Sequence, residues 1–424
     1  MKEISLSLTI RITLRQTDVH WLEAQLLAER TRLFAEALHR VVAEIEASVL
    51  EHAICPTCNG PLVGNGRVPL VLETLLGRLE YARQRCRCVR CAVDVYPLDT
   101  ALGLLPGTGS TLGVRERALW AVTEVSYAKA AAFLAKFTGL EVSHGRIHAW
   151  VREEGQYLEA QEAAQQAATF GPRPTAALTP GLGPPRLYVQ VDGTMVRERD
   201  AGHMECKVGI VYSERAMISR NRIALLDKRT YASFDDAATF GERFWVACAG
   251  PAGAATAGQV VFVSDGAAWI HTLQQAYFPS ALVILDPWHL EQRLRDVWGG
   301  DGEALVQRCL RDAWRGDVPV LQRRCRAAGT RLRDPEARAK VAELLGYIAT
   351  NAPGIRNLAR LEATGSGAVE KTVDVVVTHR YKKRGMSWRR PGSRALLKLR
   401  LLRLNGTWDT YWAARRATVA QLAA

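Results

Sequence analysis

Two Asp-Gly pairs each close an apolar run: Asp192-Gly193 follows LYVQV, and Asp265-Gly266 follows VVFVS. Runs of that kind read as buried strands that end at a turn. Sites in open α/β sheets form at the carboxyl ends of strands, so the two acids can converge although 73 positions separate them. A carboxylate on a buried strand is costly unless a charge compensates it, and a divalent cation does so. Asp-Gly is also ordinary turn chemistry. The repetition, in both cases behind a hydrophobic strand, is what favours a site. Oxygen ligands suit hard cations, hence Mg²⁺ or Mn²⁺. A pair of such ions about 3.5–4 Å apart can activate a water or a 3′-hydroxyl and cancel the charge of a phosphodiester. No GxxxxGK[ST] run occurs, so nothing points to an ATP-driven step.

A second set of ligands is sulfur. Five of the nine cysteines fall between positions 55 and 91. Cys55-Pro-Thr-Cys58 and Cys88-Val-Arg-Cys91 form two C-x₂-C knuckles, 29 residues apart, a spacing that can hold one tetrahedral structural Zn²⁺. Four thiolates would close the coordination shell, so catalysis at that ion is not expected. Cys86 competes with Cys88 for a place in the set.

Positive charge gathers late in the chain. The formal net charge is +13, and ten Lys or Arg stand between Arg380 and Arg403 with no acid among them. Such a run predicts a polyanion partner, with Lys382, Lys383, Arg384, Arg389 and Arg390 on phosphates. Trp388 lies among these cations, where an aromatic can stack on an unpaired base. The bland alternatives are a solvated helix face and a core tryptophan.

The elements that must position these residues divide the chain into five stretches. Residues 1–54 hold a long amphipathic helix over 17–53 behind a Thr17/Asp18 cap. Residues 55–100 carry the cysteines around a probable hairpin. Residues 101–167 are helical; the Gly139 turn and the Ser143 cap suggest a helix-turn-helix, with Arg146 near the start of a recognition helix facing DNA. Plain three-helix packing fits the same pattern. Residues 168–186 are rich in Pro, Gly, Ala and Thr and read as a linker. From 187 to 424, three strand candidates (LYVQVDGTMV, CKVGIVYSE, RIALLDKRTY) precede a helix over about 233–248. Strand and helix then alternate, which predicts an α/β layer with a mixed sheet.

Four ordered segments, VQVDGTMV, VFVSDGAAWI, ILDPWHLEQRL and GSGAVEKTVDVVVTHRYKKRGMSW, make the stretch from 187 to 404 resemble bacterial insertion-sequence transposases of the ISKra type, which are similar to the Mutator-like group. The resemblance implies an RNase H-like catalytic domain, split by a helical insertion at about 295–362. It also implies a DDE triad of Asp192, Asp265 and Glu370 that holds the Mg²⁺ and cuts and joins DNA. Glu370 is assigned by that likeness. Asp374 one turn later, Glu362 and Glu291 are the competing acids, and periodicity does not separate Glu370 from Asp374. Ser366 would cap the helix of Glu370, flanked by Gly365 and Gly367. Asp286 and His289, the D-x-x-H pair of ILDPWHL, correspond to a motif near the active site; equally, Asp286 with Pro287 is good chemistry for a helix start.

The implied partners are double-stranded DNA, as transposon ends and target, and further copies of the chain, because two ends must be joined. A non-catalytic DNA-binding derivative and a nuclease without joining activity are the rivals. No apolar run reaches the ~18 residues that span a bilayer. The first residues lack the uninterrupted apolar core of a signal peptide, so the expected place is the cytoplasm, on the nucleoid.

Overall fold

The computed structural model describes residues 3–104, 107–172, 174, 183–220, 222–360 and 367–423. The chain forms two compact units, Met1–Trp150 with Thr407–Ala424, and Val151–Gly406. Among the described residues no helix is long and apolar enough to cross a membrane.

The first unit opens on α1 (Val19–Leu50), started by Asp18, whose carboxylate accepts the Trp21 N–H at 2.9 Å. It packs on a three-stranded sheet in which β1 (Leu62–Thr74) and β2 (Gly77–Cys88) form an antiparallel hairpin and β3 (Asp94–Val95) pairs with β2. Val42 of α1 meets Leu72, Leu79 and Tyr81 of the hairpin, with Leu98 of the short α2 (Pro97–Ala101) closing the core. One acid lies inside it: Glu46 is 4% exposed and accepts hydrogen bonds from the Tyr81 hydroxyl at 2.8 Å, the Gln84 N–H at 2.6 Å and the Arg67 guanidinium.

Three helices follow in this unit: α3 (Leu112–Glu124), capped by Thr111, α4 (Tyr127–Thr138), capped by Ser126, and α5 (His144–Phe170). Gly139 ends α4 at φ +72°, a left-handed cap that glycine adopts without steric cost. Ser143 accepts the Arg146 N–H at 3.2 Å, so the expected cap is in place. The last helix, α16 (Trp408–Ala423), belongs here too: Trp408 meets Trp120 edge-on at 5.3 Å and Arg416 pairs with Glu116 at 2.8 Å. The stretch from 187 onward therefore does not stay in one unit to its end.

From Val151 onward α5 belongs to the second unit. Because it reaches Phe170, the expected linker begins later than 168; residues 173 and 175–182 of it lie outside the described residues. The sheet has five strands in the order β10-β9-β4-β5-β8. Here β4 (Arg186–Glu198) runs antiparallel to β5 (Gly202–Tyr212), which runs antiparallel to β8 (Arg229–Ser233). On its other side β4 runs parallel to β9 (Gln259–Ser264), which runs parallel to β10 (Leu282–Leu285).

The mixed sheet is as expected, but the third strand candidate, RIALLDKRTY, is two strands. It breaks at Asp227, where φ is +50°. Its first half, β7 (Arg222–Leu226), pairs with β6 (Glu214–Ser219) in a separate hairpin, and only β8 joins the main sheet.

Helices cover the sheet. α6 (Ala237–Phe244), extended by a π-helical turn over Trp245–Ala249, stacks Phe240 and Phe244. α7 (Ala268–Tyr277) and α8 (Pro287–Trp298) follow β9 and β10. Then come α9 (Glu303–Trp314), α10 (Val318–Gly329), α11 (Pro335–Thr350) and α12 (Ala352–Arg356). These helices share one apolar core with the outer parallel strands, including Val263, Ile284, Leu294, Leu321 and Ile348. α13 (Gly367–Val373) continues through a π-helical turn, Asp374–Thr378, into α14 (His379–Tyr381), and α15 (Arg390–Leu404) closes the unit. The expected cap Ser366, with Gly365 and Glu362, lies outside the described residues.

Candidate functional site

Asp192 does not stand at a turn. β4 continues to Glu198, Asp192 pairs with Val208 of β5, and the Asp-Gly turn expected there is absent. What ends is the neighbour: β9 pairs with β4 only as far as Gln190 and Val263, and its strand stops at Ser264. Asp192 therefore sits where β4 outruns its parallel partner, and the acid that leads out of β9 is Asp265. The two acids of the sequence reading thus meet at one carboxyl edge, by overrun rather than by two matching turns.

At Asp265 the turn is real. Gly266 takes φ +83°, and a Cβ there would come within 2.6 Å of the Asn351 amide oxygen. The Asp265 carboxylate accepts the Ala267 N–H at 2.8 Å, and its carbonyl accepts the Tyr347 hydroxyl at 2.7 Å. Helices α11 and α12 thereby hold the loop that carries this acid.

The other edge of the site comes from α8 and α13. Asp286, only 1% exposed, starts α8 and accepts the ring N–H from His289 Nδ1 at 2.6 Å. That bond fixes the ring and leaves Nε2 as its free atom, the arrangement by which a carboxylate orients a ligating histidine. Burial disfavours the charged ring, but the Asp286 hydrogen bond and the charges of Asp286, Asp265 and Glu370 outweigh it, so the His289 pKa is raised. Ligand atoms of Asp286, His289 and exposed Glu370 all lie within 4.8 Å of one another.

Asp192 and Asp265 stand outside that tight group, although both act electrostatically on it. Asp192 is pushed up to about 6, first by desolvation, then by the charges of Asp265 and Glu370, against the Gly193 N–H and His289 that favour its ionised form. Carboxylates are donors of the kind that suits a hard cation. Asp192 on a strand, Asp265 in a loop and Glu370 on a helix lie near enough for the charges of the last two to act on Asp192. That acid is held partly neutral first by desolvation and then by those charges. Asp374, on the π-helical turn after α13, belongs to no such group among the described residues.

Gln190 was not singled out from the sequence. It is fully buried on β4, two residues before Asp192 and on the same face, and its amide oxygen accepts the Val369 N–H at 2.9 Å. One side chain thus ties the strand of Asp192 to the helix of Glu370. A lone polar residue inside LYVQV was the available signal. Thr194, two residues beyond Asp192 on that face, accepts from Lys382 Nζ at 2.5 Å. This brings the first cation of the exposed basic segment within about 7 Å, along the strand, of Asp192.

The rest of the basic run departs from expectation. Its cations are not left uncompensated. Arg389 faces Asp200 at 3.7 Å, Arg390 Glu198 at 2.8 Å, Arg394 Asp235 at 2.9 Å and Lys398 Glu159 at 2.9 Å. Arg380 and Arg400 are buried, and Arg400 donates to the carbonyls of Val375 and Val376. Acids remote in sequence supply the balance. Lys382, Lys383 and Arg384 remain exposed. Trp388 is not available for stacking on a base: it is 8% exposed, packs on Tyr381 at 4.7 Å, donates from Nε1 to the Tyr381 carbonyl and lies under Arg380.

In the first unit the cysteines converge. Sγ of Cys55 lies 3.5 Å from that of Cys91, and Sγ of Cys58 lies 3.4 Å from Cys88 and 3.7 Å from Cys91. The four form one group that could hold a metal ion. Cys86 is outside it, buried beside Glu46, which together with desolvation raises its thiol pKa. The Cys55 thiol is lowered to about 6, chiefly by the Thr57 backbone N–H, so one thiolate forms readily even without an ion. On α5, Ser143, His144, Arg146 and His148 are exposed while Ile147 and Trp150 are buried.

Residues 15–416 match the model of an uncharacterised protein family, UPF0236. Among curated proteins none matches the chain.

Proposed function

We propose that the chain, which belongs to the UPF0236 family, is a metal-dependent DNA transposase with an RNase H-like core, of the insertion-sequence kind its sequence resembles. The observation that carries the reading is the nearness of Asp192 on β4 to Asp265, which leads out of the parallel neighbour β9, with Glu370 tied to β4 through Gln190. Asp192, Asp265 and Glu370 are the residues that would hold Mg²⁺ or Mn²⁺. When bound, the metal supplies charge cancellation on the phosphate and an activated water or 3′-hydroxyl.

The chain's own residues do the positioning. β5 holds Asp192 through its pairing with Val208, and Tyr347 and Asn351 pack on the loop of Asp265. Asp286 sets the His289 ring through Nδ1, and Nε2 can donate to a phosphate oxygen in the protonated ring that the raised pKa favours. Lys382 through Arg384 meet the flanking backbone as point charges. In the first unit Cys55, Cys58, Cys88 and Cys91 would hold a structural Zn²⁺, for which four thiolates are suitable soft ligands. The helices around Ser143 and Arg146 read the DNA ends, the chain works as a homo-oligomer, and it acts on the nucleoid.

The test is incubation of the full chain with duplex DNA carrying its element's termini, with and without Mg²⁺. Cleavage and joining that need the metal and vanish in Asp192→Asn are expected. DNA that is bound but neither cut nor joined overturns the reading. Cleavage without joining reduces it to a nuclease.

A further inference from the structure

A second recess in the same unit has chemistry that the acidic site does not use. A cavity of about 350 Å³ lies between the β6–β7 hairpin, the turn into β8 and α13. Arg215, Lys228 and Lys371 come to it from those three elements, and no carboxylate is among its lining residues. Ile223, Leu225 and Val375 give it an apolar wall. Arg215 bonds the Tyr212 hydroxyl, but its Nε is buried without a hydrogen-bond partner among the described residues. Lys228 is exposed as a residue, and desolvation holds its ammonium below the usual lysine range. Cations on the wall of a recess that has no carboxylate in its lining gain from an anion that enters.

Three converging cations match a phosphate better than a single carboxylate, and the apolar wall leaves room for a flat or ring-shaped group beyond it. The volume is at the lower end of small-ligand pockets. We propose that this cavity binds a nucleoside phosphate, with the phosphate on Arg215, Lys228 and Lys371 and the base or sugar against Ile223, Leu225 and Val375. Lys371 follows Glu370 directly on α13, so a bound ligand fixes the helix that carries the third acid. Choosing a nucleotide among phosphate compounds rests on the DNA reading; the anion site itself does not.

Calorimetric titration of the full chain with deoxythymidine 5′-monophosphate, thymidine and inorganic phosphate tests this. The monophosphate should bind about tenfold tighter than phosphate or thymidine, because only it uses both walls. Lys228→Gln and Lys371→Gln, both at exposed positions, should each weaken it by about tenfold, and Lys340→Gln on α11 should not. A 5′-phosphorylated oligonucleotide that displaces the monophosphate makes a strand end the occupant; one that does not makes it a free nucleotide. Absence of monophosphate binding, or binding unchanged by both lysine changes, overturns the proposal. Nucleotide binding in a chain that neither cuts nor joins DNA would sink the transposase reading and leave this one standing.

Discussion

The two clusters of metal-ligating side chains differ in almost every physical respect. The cysteines come from the two ends of one hairpin, lie 3.4–3.7 Å apart and complete a four-sided set. The acids come from β4, the loop after β9 and α13, and only Glu370 stands in a tight group, with Asp286 and His289. Thiols can share protons through hydrogen bonds and stay close without an ion. Carboxylates brought together on a sheet edge repel, and one of them, Asp192, resists ionisation. A closed set of soft ligands suits a structural ion, whereas an open set of hard ligands leaves room for a further ligand.

The largest expected effect lies on the closed side. Purified chain should carry about one Zn²⁺, and Cys55→Ser or Cys91→Ser should lose it and unfold residues 55–96, because metal binding energy is folding energy there. Elemental analysis with far-UV circular dichroism before and after chelation measures both. Zinc-free, fully folded protein would erase the contrast.

Next comes the acid buried beside that module. Glu46→Ala should destabilise the first unit by about 2 kcal/mol, since it strands the Tyr81 hydroxyl and the Gln84 N–H. Desolvation opposes ionisation of Glu46, but Gln84, Tyr81 and Arg67 outweigh it and lower its pKa from 4.5. Its contribution is thus present above pH 4.5 and lost as pH falls through the lower folded value. Urea unfolding of wild type and variant from pH 7 to pH 3 should show the two converging.

The open site should behave in the opposite sense. The Asp192 pKa stands at about 6 against 3.8, so ionising it costs stability in full above pH 6 and not at all below 3.8. Asp192→Asn should stabilise metal-free protein by about 1–2 kcal/mol at pH 7.5, after allowance for partial exposure, and leave it unchanged near pH 3.5. A variant less stable at pH 7.5 would mean that the carboxylate is structural.

The smallest effect concerns the exposed cations. Lys382→Gln should shallow the slope of log DNA affinity against log salt by about 0.9. Arg390→Gln should change it less, because Arg390 is already paired with Glu198. Equal slopes for the two variants would show that the ion pair opens on DNA.

The same contrast explains what the sequence disclosed. Cys55, Cys58, Cys88 and Cys91 are legible because their spacing and the hairpin between them are local. Asp192 and Asp265 were legible as strand acids, but the reason they meet is register between β4 and β9, which no local pattern contains. RIALLDKRTY read as one strand because no Gly or Pro marks its break, which falls at Asp227, a non-glycine residue in the left-handed region. The paired cations Arg389, Arg390, Arg394 and Lys398 misled because their acids are remote in sequence. Trp388, by contrast, is buried by Tyr381 and Arg380 from the same segment, a packing that its charged surroundings did not signal. Gln190 was overlooked because a lone amide in an apolar strand carries no motif.

The most direct measurement of the metal claim is Mn²⁺ binding followed by electron paramagnetic resonance in wild type, Asp192→Asn, Glu370→Gln and Asp374→Asn. Expected is a loss of affinity of at least about tenfold for Asp192→Asn and Glu370→Gln, with Asp374→Asn binding as wild type does. Normal binding by Glu370→Gln together with loss in Asp374→Asn would contradict the assignment of the third acid. Undiminished binding in all three would place the ion somewhere else.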